Sequence, residues 1–289
     1  MKLRIALATS SEYPELTRDD QLLFPAFAKA GISGEAIDWR QESVNWADFD
    51  AVVLRNTWDY FEHLPEFLHW LTRLEKSRVR VLNPTNVLRE NINKLYLRDL
   101  ENKGIPTPPT HWFEAGEFVK LRAFMENFTA KEFVLKPAIS AGGFRTHRCR
   151  REEIDKNLIL AEEILSGSTL MVQPFLKEFT EAGELSFIFF GGEFSHSVVK
   201  RPKQGDFRVQ WTHGGTHEAI QVAPEIAKQA RAIVEKLPQG LLYARIDGIV
   251  SNGTFLLVEA ELLEPYLFFK ESAGSAERFT QALLARINS

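Results

Sequence analysis

The sequence predicts a mixed α/β protein, with a parallel sheet in its first part and an α+β arrangement in its last. Three observations predict it. Short apolar runs alternate with helically spaced apolar residues over residues 1–85, glycine and proline close the segments between them, and from Leu170 onward strand-like runs dominate. Leu3 to Thr9 reads as a buried strand, and Gln21 to Ala30 as a helix that Gly31 closes. Ala51 to Leu54 is a second strand. Phe61, Leu64, Phe67, Leu68, Leu71 and Leu74 follow at helical spacing, and Val79 to Leu82 returns as a strand. Ligands on sheets of this kind gather at the carboxyl ends of the strands, where Arg55, Asn56, Thr57, Trp58, Asp59 and Tyr60 fall.

A second unit, residues 86–169, begins with a helix marked by Leu88, Ile92, Leu95 and Leu100, capped by Gly104 and ended by Pro106. Ile105 to Pro109 reads as an extended connector. Phe118, Leu121, Met125 and Phe128 mark a helix, Phe133 to Lys136 a strand, and Ile154, Leu158, Ala161 and Leu165 another helix. The third unit, residues 170–289, has strands at Leu170 to Gln173, Glu184 to Phe190, Glu193 to Lys200, Phe207 to His213, Leu241 to Asp247 and Phe255 to Glu261. Helices at Pro224 to Leu237 and Ala276 to Ile287 complete it.

At 289 residues the chain can bury a substantial core, and 44% hydrophobic with 26% charged residues is an ordinary globular balance. A net charge of −4 gives no broad electrostatic footprint for nucleic acid or an anionic membrane, so small-molecule partners are expected. The single cysteine, Cys149, can form neither an internal disulfide nor a thiolate metal site, which fits a reducing compartment and a cytoplasmic location. No export or membrane-spanning signal is read. A homodimer is the default expectation for oligomeric state.

Lys136-Pro137-Ala138-Ile139-Ser140-Ala141-Gly142-Gly143 sets a lysine at a strand end before a loop of small residues. Such a loop lets backbone N–H groups approach phosphate oxygens; an ordinary turn with a solvated lysine has the same composition. It is neither GxxxxGK[ST] nor GxGxxG. Glu259-Ala260-Glu261 puts two carboxylates on one strand face, with Asp247 a third oxygen donor from the preceding strand. Either this is a divalent-cation site or a solvated face, and the apolar residues around the pair favour the cation. A register test follows. A regular hairpin with a two-residue turn at Asn252-Gly253 would set Asp247 opposite Val258, so the cation reading requires a bulge or an odd-length loop. Lys200, Arg201, Lys203, Arg208 and Arg245 are candidates for neutralising phosphate charge or simple surface cations. The histidines show no metal-ligand spacing, and only His213 beside Gly214-Gly215 stands out, within a loop.

Taken in order, Asn93-Lys94-Leu95, Phe133 to Pro137, Ser140 to Gly143, Val172-Gln173-Pro174-Phe175, Glu184 and the carboxylates resemble the ATP-grasp superfamily. Arg55 to Tyr60, Gly183-Glu184-Leu185-Ser186 and Glu259 to Pro265 resemble its glutathione-synthetase-like branch, particularly the O-ureidoserine cyclo-ligases of cycloserine biosynthesis and their relatives. The resemblance covers essentially the whole chain. It implies an ATP-grasp fold: a Rossmann-like pre-ATP-grasp domain at 1–85, a small subdomain at 86–169 and a C-terminal subdomain at 170–289.

It also implies an ADP-forming ligase working through an acyl phosphate on an amino-acid or peptide-like molecule. ATP and Mg2+ are the implied cofactors, with Mn2+ an alternative, and a carboxylate and a nucleophile the substrates. Lys94, Lys136 and the loop with Ser140, Gly142 and Gly143 would hold phosphates, and Gln173 with the Phe175 backbone would meet adenine. Glu184, or Glu181 one turn away, would bind ribose. Asp247, Glu259 and Glu261 would carry metal, although many relatives have asparagine where Glu261 stands. Lys200 and Arg245 would stabilise the transferring phosphoryl group. On the acceptor side, Arg55 would clamp a carboxylate in a pocket shaped by Trp58, Asp59 and Tyr60; the alternative is that Arg55 pairs with Asp59 and the aromatics are core. The loop Gln204 to Thr216 would act as a lid. Ligation of two molecules, cyclisation of one, and an inactive ATP-binding regulator remain the readings, and a complete set of phosphoryl-transfer residues disfavours the last.

Overall fold

The computed structural model describes residues 2–209 and 213–288. The chain opens with β1 (Leu3–Thr9), α1 (Leu23–Lys29), β2 (Ile32–Asp38), β3 (Ala51–Asn56), α2 (Leu64–Ser77) and β4 (Arg80–Leu82). The four strands form one parallel sheet in the order β2-β1-β3-β4. Parallel sheets are covered on both faces, and the period of two divides β1 accordingly. Ile5 and Leu7 pack under α1 and the C-terminal helix, while Ala6 and Ala8 meet Trp39, Trp46, Phe67 and Trp70. Strand β2 escapes the sequence reading because only Ile32 of its seven residues is buried, leaving little hydrophobic signature.

The next segment departs from the expected single helix. It is two short helices, α3 (Thr85–Asn91) and α4 (Tyr96–Asn102), broken around Lys94, whose backbone N–H donates to Ala138 O at 2.9 Å. A second sheet follows from β5 (His111–Phe113), α5 (Phe118–Asn127), β6 (Glu132–Pro137), β7 (His147–Arg150), α6 (Ile154–Leu165) and β8 (Leu170–Pro174). Its strands run antiparallel in the order β5-β8-β6-β7, with α5 and α6 packed on one face. Because β8 pairs with β5 and β6, this sheet extends to Pro174, past the 169/170 division read from the sequence. Cys149 points into this core from β7. Burial pushes its thiol up to about 12, so it is a packed cysteine rather than a nucleophile.

The third part comprises α7 (Glu178–Glu181), β9 (Glu184–Phe190), β10 (Glu193–Arg201), β11 (Thr216–Ala219), α8 (Pro224–Val234), β12 (Tyr243–Ser251), β13 (Thr254–Glu261) and α9 (Ser275–Asn288). Its five strands form an antiparallel sheet in the order β11-β10-β9-β12-β13. Residues Phe187, Phe189, Ala244 and Ile246 bury one face under α8. Phe207, Arg208, Val209 and His213 are not in a strand; the remainder of the strand expected at Phe207 to His213 lies outside the described residues. Among the described residues, no helix is long and apolar enough to cross a membrane.

Candidate active site

The face of the five-stranded sheet opposite α8 carries the charged residues, and the pairing register explains why. Directly paired strand residues share a face. Lys200 on β10 pairs with Glu184 on β9, Ser186 on β9 with Asp247 on β12, Asp247 with Glu259 on β13, and Arg245 with Glu261. Four adjacent strands thus point one connected set of ionic side chains in the same direction. They line a cleft of about 660 Å³, whose other walls are the Lys136 and Ser140–Gly143 region, Gln173 with Phe175, and the Trp58–Phe61 segment of the parallel sheet.

Two glycines permit this arrangement. The Asn252-Gly253 turn has two residues, with Ser251 paired to Thr254, so a regular ladder would set Asp247 against Val258. Instead the register shifts at Asp247/Gly248: Gly248 pairs with Leu257 and Asp247 with Glu259. The bulge brings Gly248 so near β13 that a Cβ there would lie 2.4 Å from Leu256 O. At the start of β9, Gly183 has φ +86°, and a Cβ would lie 2.6 Å from Lys200 O, so only glycine allows Glu184 and Lys200 to come alongside.

The carboxylates are held by cations. Lys200 Nζ lies 2.7 Å from Glu184 and 2.9 Å from Asp247; Arg245 bonds both Asp247 and Glu261; Lys94 Nζ lies 3.2 Å from Glu259 and donates to Ser140 O at 2.7 Å. Burial alone would raise the Asp247 carboxyl, but Arg245 and Lys200 outweigh it and hold the group well below the usual carboxylate range. Glu261 goes the other way. Burial, with Glu259 and Asp247 beside it, lifts it well above its ordinary value despite Arg245. For Lys136, burial is the main cause that brings its ammonium down to about 8, with Lys94 adding like-charge repulsion.

Among the described residues no three carboxylate, imidazole or thiolate groups converge as a preformed ion cage. Asp247, Glu259 and Glu261, the three expected metal ligands, are instead engaged with Lys200, Arg245 and Lys94. The donor set still fits Mg2+, because hard oxygen donors stand in register on one cleft wall and Mg2+ is commonly held by one or two carboxylates with water and nucleotide phosphates.

Residues 93–265 match the prokaryotic glutathione synthetase ATP-grasp domain. The chain belongs to this ATP-grasp family. Residues 5–83 match the N-terminal domain of D-cycloserine synthetase DcsG. Over 98% of both chains the protein is 29% identical to the cycloserine biosynthesis protein DcsG of Streptomyces lavendulae. The crystal structure of D-cycloserine synthetase DcsG superimposes with a TM-score of 0.88, covering 98% of this chain and 99% of that one. Glutathione synthetase of Neisseria meningitidis serogroup A is 26% identical over 71% of this chain and 63% of its own length. The ATP-grasp ligase PsnB, solved with its minimal precursor, Mg and ADP, shares the fold at a TM-score of 0.65 and 18% identity. The chain is therefore an ATP-grasp ligase, an enzyme that forms C–N bonds on small molecules using ATP and Mg2+.

Several expected residues sit elsewhere than predicted. Arg55 does not line the cleft, and it does not pair with Asp59. It is fully buried, with Nε 2.7 Å from Asp20 and Nη2 donating to Pro265 O at 2.7 Å. Asp59 lines the cleft but accepts from Trp39 Nε1 and pairs with Arg40. Tyr60 is a core aromatic whose edge reaches the cleft, and Trp58 is half-buried there. Lys94 lies in a helix break, not on a helix. The Phe175 N–H donates to Glu132 O at 3.0 Å and so is already engaged, although Phe175 lines the cleft, while Gln173 donates to Thr110. Glu181 is exposed on α7 and paired with Lys177, away from the cleft that Glu184 lines. In the expected lid, Arg208 is tied to Asp206, and His213 Nε2 lies 3.1 Å from Gly142 O, joining that loop to the glycine loop.

No residue pattern marks the backbone role of the segment from Leu263 to Phe268. Six consecutive carbonyls there each meet a side chain: Leu263 O meets Tyr243 Oη, Glu264 O meets Trp58 Nε1, Pro265 O meets Arg55, Tyr266 O meets Arg245, and Leu267 and Phe268 O both meet His196 Nε2. The donors come from β3 and Trp58 just beyond it and from β10 and β12, and they fix this strap at the Trp58 end of the cleft.

Proposed function

We propose that this ligase activates a substrate carboxylate by phosphoryl transfer from ATP and then joins it to a nitrogen nucleophile in the Trp58 end of the cleft. The observation that carries the reading is the shared face of β10, β9, β12 and β13, which opposes Lys136 and the Ser140–Gly143 loop across one cleft. In this proposal Lys94, Lys136, Ser140, Gly142 and Gly143 hold the phosphates, Gln173 and the Phe175 carbonyl meet the base, and Glu184 takes the ribose hydroxyls. Lys200 and Arg245 neutralise charge on the transferring group. Asp247, Glu259 and Glu261 would hold Mg2+, which supplies charge neutralisation and orientation of the phosphates. The ion pairs of Lys200 and Arg245 keep these carboxylates compensated before nucleotide enters, and exchange of cation partners frees them. Mn2+ as a substitute, a cytoplasmic location and a homodimer belong to the same proposal.

A second reading, closure of a single substrate into a ring, is favoured by the match of residues 5–83 to the D-cycloserine synthetase N-terminal domain, because that product is itself a ring. The test for both is ADP and phosphate release from Mg-ATP across amino acids and ureido- or hydroxylamine-type analogues, with Lys136→Ala as control. Release with one carboxylate alone, without an added amine, identifies ring closure. Release requiring two substrates identifies intermolecular ligation, and no substrate-dependent release anywhere in the panel overturns the ligase assignment of this cleft.

A further inference from the structure

The proposed reaction leaves one proton to be placed. When a neutral nitrogen attacks an acyl phosphate, the C–N bond forms, the C–O bond to phosphate breaks with its electron pair leaving on the phosphate, and the nitrogen must give up a proton. The carboxylates of the strand face are poor receivers, because Glu184, Asp247, Glu259 and Glu261 are each paired with a lysine or arginine. Among the described residues, His213 and His217 are the imidazoles that line the cleft. His213 has its Nε2 3.1 Å from Gly142 O, beside the glycine loop.

His217 stands elsewhere. It pairs with Lys200 across β10 and β11, so the face that carries Lys200, Glu184 and Asp247 extends one strand further and ends on an imidazole. The His217 ring centroid lies 4.9 Å from that of Phe268 and 6.0 Å from that of Tyr266. Beyond these two rings lie the two halves of the reaction: the Arg245 guanidinium is 5.8 Å from the Phe268 ring, and Tyr266 is 6.4 Å from Trp58. His217 therefore sits between the phosphoryl-transfer wall and the Trp58 end.

The ring is also oriented. Its Nε2 lies 3.4 Å from the carboxylate of Glu271, which belongs to a 3-10 turn just after the strap and does not itself line the cleft. A carboxylate beside one ring nitrogen favours the tautomer protonated there, which leaves the lone pair on Nδ1. Lys200 and Tyr266 are the other titratable groups on this side of β11, while Glu218, on its opposite face, is taken by Arg201.

We infer that His217 is the general base of the ligation step, receiving the proton of the attacking nitrogen on Nδ1, and that Glu271 positions it. The inference rests on the Trp58 end holding the nucleophile. The His217 side chain is 28% exposed, so the proton can pass on to water after each turnover.

The test compares the full chain with His217→Asn and Glu271→Gln, using Mg-ATP with O-ureidoserine and with each amino acid of the release panel, and adding hydroxylamine as a second nucleophile. Hydroxylamine is largely unprotonated at neutral pH and captures an acyl phosphate as hydroxamate without help from a base. On the carboxylate that the parent turns over, His217→Asn should give a stoichiometric rapid-quench burst of ADP near the parent's rate and then turn over about 10²-fold more slowly. Hydroxylamine should restore its turnover to within a few-fold of the parent, and Glu271→Gln should show the same pattern with a smaller loss. A packing role for His217 would not be relieved by a better nucleophile. If His217→Asn keeps the parent's steady-state rate, gains nothing from hydroxylamine, or loses the ADP burst while still binding Mg-ADP, the inference is overturned. If that variant fails to bind Mg-ADP, Glu271→Gln decides by the same readouts. Failure of the parent to release ADP with any of these carboxylates overturns the ligase reading of the cleft instead, and the inference with it.

Discussion

Asp247 and Glu259 stand opposite each other on β12 and β13 because one residue, Val258, is bulged out of an otherwise regular two-residue hairpin. The core residues of β13 record the shift: Phe255 and Leu257 are buried on one side of it, Ala260 and Leu262 on the other, so the buried positions change from odd to even. Gly248→Ala should therefore be costly, since the added methyl meets Leu256 O and the Phe255 ring. We expect a loss of about 2–4 kcal/mol in urea unfolding and a raised Mg2+ requirement in ADP-release assays. An unchanged Mg2+ requirement would separate the bulge from cation binding.

Replacing Lys136 or Lys94 with alanine should lower kcat by roughly 10²–10³-fold, the scale for removing one preorganised electrostatic contact to a reacting group. Lys94→Ala should also free Glu259 and loosen the Ser140 carbonyl, so its KM for ATP should rise more than that of Lys136→Ala. Steady-state ADP release against ATP concentration distinguishes the two.

Arg55→Met should act on stability. Removing it strands Asp20 in the core, which typically costs about 3–5 kcal/mol, and releases Pro265 O. The check is urea unfolding alongside Mg-ADP affinity. Stability should fall while affinity, measured below the unfolding transition, stays within a few-fold. A selective loss of substrate binding without destabilisation would restore the reading of Arg55 as a carboxylate clamp.

The pH dependence of stability should carry a His196 component. Burial, the main cause, lowers its imidazole from 6.5 to about 4. The unfolded chain therefore binds the proton first, so the stability His196 contributes is fully present above pH 6.5 and is lost as pH falls toward 4, by at most about 3 kcal/mol. Asp19 opposes it: burial raises its carboxyl to about 6, so its contribution is present below 3.8 and is lost as pH rises through 6. Comparing the parent with His196→Gln between pH 4 and 7.5 isolates the first slope. Parallel curves would rule it out.

The extent to which sequence disclosed this molecule depended on what each residue answers to. Strands β1, β9 and β13 were legible because their apolar runs are buried, and the order of Lys94, Lys136, Gln173, Glu184 and the carboxylates carried the family. Which of Leu256, Leu257 and Val258 turns inward was not legible, since all three are apolar and only the crowded glycine opposite decides it. Arg55 misled for a similar reason. At a strand's carboxyl end an arginine reads as a ligand group, but its partner, Asp20, comes from a 3-10 turn that no periodicity marks. The helix break at Lys94 depends on Ala138, more than forty residues away, and local propensity could not report it.

The strap at 263–268 bears on how this enzyme can be recombined. Its carbonyls are satisfied by Arg55 and Trp58 from the first part of the chain and by His196, Tyr243 and Arg245 from the third, so the first part docks on a backbone that the third supplies and braces. A chimera that joins residues 1–85 to the grasp region of another ligase would bring donors without their acceptors. Such exchanges should succeed only when the strap travels with its donors, which makes the parallel-sheet part and the strap a single unit of inheritance.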